Sequence, residues 1–149
     1  MLSIDLLSYQ PQLKLRKGAA KTEVFDAVRR KWLVLTPEES VRQLTLLYLL
    51  DNTSVPLAHI RTEMSLLVNG LPKRCDILLF DIAAQPLLLV ECKAPRVAIT
   101  PEVMYQALRY NLTLQVPYFL LTNGIATHFF ELDYKAGTWR ERNELAIAY

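Results

Sequence analysis

Two short runs, Ile77-Leu78-Leu79-Phe80 and Leu87-Leu88-Leu89-Val90, constrain this chain more than any other feature. A strand that meets water on one face alternates between apolar and polar residues. One without alternation is covered on both faces, so helices must pack on either side of the sheet that holds it. Arg74 to Asp81 and Pro86 to Lys93, joined through Ala83-Ala84-Gln85, are therefore expected as neighbouring central strands. The composition can supply such a core. Hydrophobic residues make up 52% of the 149 and charged residues 21%, with four glycines, which excludes a disordered or collagen-like chain. Both runs are far shorter than the roughly 18 apolar residues that cross a bilayer, so no membrane partner is expected.

The flanking segments read as helices and further strands. Thr36-Pro37-Glu38-Glu39 opens a helix to about Leu50, with threonine as N-cap, proline at the first helical position and Glu39 where a capping-box carboxylate belongs. Val41, Leu44, Leu47 and Tyr48 share one face, and Leu46, Leu49 and Leu50 add apolar surface, so this helix is largely buried. Ile60 to Val68 has strand composition, and Asn69-Gly70 is a hairpin signal. A second cap, Thr100-Pro101-Glu102, starts a helix to about Gln115 with Val103, Ala107, Tyr110 and Leu114 as its apolar stripe. Pro117 to Thr122 reads as another strand, closed by Asn123-Gly124. His128 to Tyr134 and the segment around Trp139 form a hairpin turning at Ala136-Gly137. The order predicts one α/β domain with a mixed central β-sheet flanked by helices. Its core spans about residues 36–124, after an N-terminal extension (about 1–35) and before a C-terminal edge hairpin (about 125–149).

The net charge of +2 permits a polyanionic partner without requiring one. Lys14, Arg16, Lys17 and Lys21 cluster around Gly18-Ala19-Ala20, and Arg29-Arg30-Lys31 precede Trp32. Each cluster fits either a solvated surface or a phosphate-facing edge. Met1-Leu2-Ser3-Ile4-Asp5 has no basic stretch leading into a hydrophobic one, so no secretory signal is expected. Cys75 and Cys92 are too few for a disulfide scaffold, and with His59 and His128 they show no zinc-ligand spacing. A cytoplasmic compartment with free thiols is expected.

Polar residues among the central strands carry the chemistry. Asp76 stands at the start of one apolar strand, and Glu91 and Lys93 at the end of the next. In a hairpin these ends lie together, and Glu91 and Lys93, two apart, point to the same face. Burying three charges there costs several kcal/mol (about 3–5 when one partner is lost) unless they pair or bind a metal. Two carboxylates, with the Cys92 backbone carbonyl between them, suit Mg²⁺ or Mn²⁺, with Lys93 beside a water or a phosphate oxygen. An ordinary ion network of the three residues is the competing reading. A register placing Asp76 opposite Glu91 would also place Cys75 opposite Cys92, both directed away from the site and packed together under the far helices.

Asp76, followed fifteen residues later by Glu91-Cys92-Lys93, behind a capped helix carrying acids, resembles the PD-(D/E)xK nuclease superfamily. More narrowly, five blocks resemble the N-terminal nuclease domain of type I restriction-enzyme R subunits, above all its small stand-alone relatives. They are Thr36 to Gln43, Lys73 to Ile77, Val90 to Pro95, Gln106 to Asn111 and Leu121 to Gly124. The resemblance implies a restriction-endonuclease-like core, with Asp76 and Glu91 as metal ligands and catalytic residues and Lys93 as the catalytic lysine. It also implies a helix carboxylate completing the metal site. Glu38 and Glu39 both qualify, and Glu38, four before Arg42, is chosen. Gln106 and Tyr110 match a Gln-x-x-x-Tyr signature that touches substrate or braces the lysine, although Tyr110 on the apolar stripe could simply pack in the core. Position 75 is Cys where the superfamily name has Pro.

The chain has no P-loop pattern, so an ATP-driven translocating enzyme is not expected from it alone. Arg29, Arg30, Lys31, Arg42, Arg74 and Arg96 are available for phosphate contacts. The leading expectation is a divalent-metal-dependent nuclease domain that hydrolyses phosphodiester bonds of DNA. The alternative is a catalytically idle module of the same fold that binds nucleic acid or a protein partner. A purely structural α/β protein is the third reading.

Overall fold

A computed structural model describes residues 1–149, the side chain of Val68 excepted. The N-terminal extension, where the sequence offers no clear element, forms a 3-10 helix (Leu6–Gln12) and three short antiparallel strands. These are β1 (Leu15–Lys17), β2 (Thr22–Asp26) and β3 (Lys31–Val34), a small sheet in the order β1-β2-β3. Gly18 makes the first turn possible: its N–H reaches the Lys21 carbonyl at 2.9 Å, and a Cβ there would lie 2.5 Å from that oxygen.

β3 runs into α1 (Pro37–Asn52), where the Thr36 hydroxyl accepts the Glu39 N–H at 3.1 Å as the cap requires. The reciprocal half of the expected capping box is not formed. The Thr36 N–H donates to the Val34 carbonyl, and the Glu39 carboxylate turns inward to Arg42 and Gln43.

The Asn69-Gly70 turn then joins β4 (Ile60–Val68) to β5 (Leu71–Phe80). Both turn residues take positive φ (50° and 77°), as a two-residue hairpin of this twist demands. The chain returns as β6 (Pro86–Cys92) with Ile77 opposite Val90 and Leu78 opposite Leu89. Next, α2 (Pro101–Leu112) carries it across to β7 (Tyr118–Thr122), parallel to β6. A helical crossover is what a parallel neighbour needs. β8 (Thr127–Asp133) and β9 (Thr138–Arg142) complete a six-stranded mixed sheet in the order β4-β5-β6-β7-β8-β9.

Both faces of that sheet are covered, as the unbroken apolar runs require. On one, Val41, Leu46 and Leu49 of α1 pack with Ile77, Leu88, Val90 and Phe129. On the other, Leu108 of α2 packs with Leu78, Leu89, Phe119 and Phe130. Of the stripe expected on α2, Val103, Ala107 and Leu114 pack against this cluster beside the buried Leu108, whereas Tyr110 is 41% exposed. Among the described residues, no helix is long and apolar enough to cross a membrane.

One buried aspartate holds the N-terminal sheet on the rest. Asp26 is fully buried; its carboxylate accepts the Val28 and Arg29 N–H groups, the Arg29 Nε and the Thr62 hydroxyl of β4, all within 3.0 Å. Burial works against its charge, but the hydrogen bonds from Arg29 and Thr62 and the Arg29 charge outweigh it, holding the carboxyl below its ordinary value. Asp26→Ala should cost about 3 kcal/mol, because it leaves Arg29 and Thr62 without their buried partner. A depressed carboxyl stabilises the fold at neutral pH, and that stabilisation is lost as pH falls through the folded-state value. In urea unfolding, the stability gap between wild type and Asp26→Asn should be constant near neutrality and shrink below about pH 4. A gap that persists undiminished into stronger acid would contradict this account of the anchor.

Candidate active site

The site forms where β5 and β6 part company. Pairs between β4 and β5 have numbers that sum to 139, from Ile60↔Leu79 to Val68↔Leu71, yet the pair Glu63 and Asp76 is missing from the ladder. Glu63 sits at φ 56°, a strained conformation for a residue with a Cβ. The alternation of β5 breaks at the same level. Ile77 packs in the cluster beneath α1, whereas Cys75, two residues earlier, packs in the cluster beneath α2. The carboxylate of Asp76 is thereby turned into the gap between the strands. There its Oδ2 accepts the Cys92 N–H at 2.7 Å and its Oδ1 accepts from Arg42 of α1 at 2.9 Å.

This break corrects the expectation for the cysteines. Cys92 lies under α1 and Cys75 under α2, so they occupy opposite faces and are not packed together. Both are buried free thiols, as expected. Burial pushes the Cys75 thiol up to about 11 and that of Cys92 well above the ordinary thiol value.

A cleft of about 450 Å³ opens over the gap, lined by Asp76, Glu91, Cys92, Lys93 and Glu38 among others. The residues expected on the two central strands are therefore brought to one place, on a single cleft. Lys93 Nζ lies 2.7 Å from Glu91 Oε1. Burial works against the ammonium, but the hydrogen bond and charge of Glu91, with Asp76 and Glu38 nearby, outweigh it, and Lys93 is held above its ordinary value. Glu38 stands on the rim, half exposed and 3.3 Å from Arg42, whereas Glu39 is buried beneath it and does not line the cleft. Gln106 is exposed on α2 and is not in the cleft wall. Tyr110, one turn further on, meets the cleft through Lys73, whose Nζ lies 3.9 Å from the ring centroid. Burial lowers the Lys73 ammonium below its ordinary value.

Two residues at the centre do not stand out in the sequence. Arg42, 6% exposed, pairs with Glu38, Glu39, Glu63 and Asp76. It is consumed by carboxylates and is not free to meet a phosphate, which corrects the expectation for that residue. Burial acts against its charge, but Glu39, Asp76 and Glu63 hold the guanidinium above its ordinary value. Glu63 is the second; it bridges Arg42 at 2.7 Å and also pairs with Arg74, whose side chain is largely exposed. A signal for Glu63 exists, since a turn at Asn69-Gly70 puts it opposite Asp76.

The donor set suits a hard divalent cation. Asp76 and Glu91 offer carboxylate oxygens, each with a second lone pair beyond the hydrogen bonds described, and Glu38 stands at the rim. Among the described residues, no three His, Cys, Asp or Glu side chains are grouped closely enough to enclose an ion. A cation bound here would therefore need backbone, water or phosphate oxygens to complete its coordination shell. Mg²⁺ is commonly held in that way.

A mixed sheet between two helices, with acids and a lysine at the parting of two central strands, defines a restriction-endonuclease-like α/β core. The family model for the type I restriction enzyme R protein N terminus (HSDR_N) matches residues 37–145, and the chain belongs to that family. No curated protein gives a match.

Arg42 is the charge on which four carboxylates depend. Arg42→Ala should destabilise the fold by about 3–5 kcal/mol, since Glu39 would be left buried without a counter-charge and Glu63 with only the exposed Arg74. Arg42→Lys should recover only part, because one ammonium lacks the planar fork that reaches several carboxylates. A loss below about 1 kcal/mol for Arg42→Ala in urea unfolding would show that the cluster is no more than a surface network.

Proposed function

We propose that this domain hydrolyses phosphodiester bonds of DNA with the help of Mg²⁺ or Mn²⁺. The observation that supports this reading most strongly is the meeting of Asp76, Glu91 and Lys93 on one cleft, at the gap between two otherwise buried strands. Membership of a restriction-enzyme family supports the same reading and favours DNA as the partner.

In this proposal Asp76 and Glu91 hold the cation, with Glu38 at the rim and the Cys92 carbonyl between the strands. The cation, when bound, would supply a Lewis acid to the scissile phosphate and to the attacking water. Lys93 donates from its ammonium to that water or to a non-bridging phosphate oxygen, where negative charge grows as the P–O bond to the leaving sugar oxygen breaks. Asp76 is held in place by the Cys92 N–H and Arg42, so its orientation is set before substrate arrives. Gln106 and Tyr110 contact the nucleic acid outside the cleft, on the side of Lys73. The buried thiols suit a reducing, cytoplasmic setting.

The idle-module reading has one observation in its favour. Eight charged residues line the cleft, four acids (Glu38, Glu63, Asp76, Glu91) and four bases (Arg42, Lys73, Arg74, Lys93), so it is balanced without an ion. Activity separates the two readings. Purified protein with Mg²⁺ or Mn²⁺ should nick supercoiled DNA. Lys93→Ala should lose about 100-fold or more of that rate while still binding Mn²⁺ in calorimetry. Equal cleavage by both proteins would betray a contaminant, and DNA binding without cleavage would favour the idle module.

A further inference from the structure

The charge of this chain is divided unevenly. Residues 1–35 contain seven Lys and Arg against three Asp and Glu, a net +4, and the remaining residues contain ten against twelve, a net −2. The part that carries the cleft therefore repels a polyanion on average, while the small N-terminal sheet attracts one. That sheet also lies outside the stretch matched by the family.

Its cations are disposed for contact with a partner. Arg16 pairs with Glu23, and Arg29 with Asp26. Lys14, Lys17, Lys21, Arg30 and Lys31 are all exposed and make no ion pair among the described residues. Phe25 and Trp32, opposite each other on β2 and β3, form an edge-to-face pair with centroids 5.4 Å apart. Lys14 Nζ lies 4.9 Å from the Phe25 centroid, and Arg16 Cζ lies 4.3 Å from that of Trp32. The charged ends of Lys14 and Arg16 thus lie over the rings. A stacking platform for unpaired bases would need those ring faces free. What the sheet offers instead is exposed positive charge on its strands and turns, suited to phosphates.

The sheet also adjoins the cleft. β3 leads directly to Thr36, part of the cleft wall, and the Leu35 N–H is bonded to Thr22, next to Lys21. At the other end of β2, Asp26 is bonded to Thr62, the neighbour of Glu63 in the cleft. We infer that the N-terminal three-stranded sheet is a phosphate-binding surface that holds the DNA backbone, without reading its bases, beside the cleft. The inference rests on the reading of that cleft as a site for DNA cleavage, and it assigns binding to a part of the chain distinct from the chemistry.

The test uses the full chain, a fluorescein-labelled duplex of mixed sequence, EDTA to prevent cleavage, and anisotropy across a salt series. Wild type is compared with the variant carrying Lys14→Gln, Lys17→Gln, Lys21→Gln, Arg30→Gln and Lys31→Gln. The variant should bind at least about tenfold more weakly at low salt. Its slope of log affinity against log salt should fall by about 0.9 for each phosphate contact removed. The loss should be the same for duplexes of unrelated sequence. Circular dichroism and Mn²⁺ calorimetry on the same variant should match wild type, showing that fold and cleft are intact. Unchanged affinity and slope, or absence of duplex binding by wild type, would overturn the inference. A failure of the cleft reading would register separately, as absence of Mn²⁺ binding in both proteins.

Discussion

A single guanidinium organises the region where this fold departs from regularity. Arg42 reaches from α1 to the sheet and meets carboxylates from its own helix, from β4 and from β5. Such a charge is costly to bury and costly to lose once buried, so every element that contributes an acid is tied to the position of α1. Without it, Glu63 would keep only the exposed Arg74, and Asp76 only the Cys92 N–H. The break in strand alternation lies at the same level as these contacts.

That arrangement explains why a sheet so apolar can carry a polar site. The strands are buried on both faces along most of their length, where aliphatic packing supplies the stability. At the end where they separate, the backbone no longer completes its ladder, and the freed Cys92 N–H is satisfied by Asp76. Glu91 and Lys93 continue β6 into the same opening, where their alternation is undisturbed. The catalytic hypothesis thus asks little of the loops. Its principal residues stand on a helix and two strands, the most rigid parts available.

The features readable from sequence were those set by local chemistry. Thr36 and Thr100 cap their helices because threonine followed by proline fits that position. The register of β5 and β6 follows from a short turn between two apolar runs, and it brings Asp76 to Glu91 and Lys93. What could not be read depends on contacts between distant segments. The strands of the N-terminal sheet are three to five residues long, and β1 is wholly exposed, so there is no periodicity to see. Alternation assigns Cys75 to the wrong face because the ladder is interrupted where Glu63 and Asp76 would pair. Glu39 suits a capping box by spacing, yet a buried guanidinium one turn on is a stronger partner than a backbone N–H. Tyr110 fits an apolar stripe by spacing, but it is 41% exposed and its ring meets Lys73 instead.

The proposed function requires Asp76 and Glu91, now paired to Arg42 and Lys93, to bind a divalent cation. Diffraction from crystals soaked in Mn²⁺, collected where manganese scatters anomalously, tests it most directly. An anomalous peak is expected in contact with the carboxylates of both Asp76 and Glu91, with Arg42 still holding the far side of the aspartate. Crystals in which manganese binds elsewhere, or not at all, while Asp76 and Glu91 remain paired to Arg42 and Lys93, would contradict it.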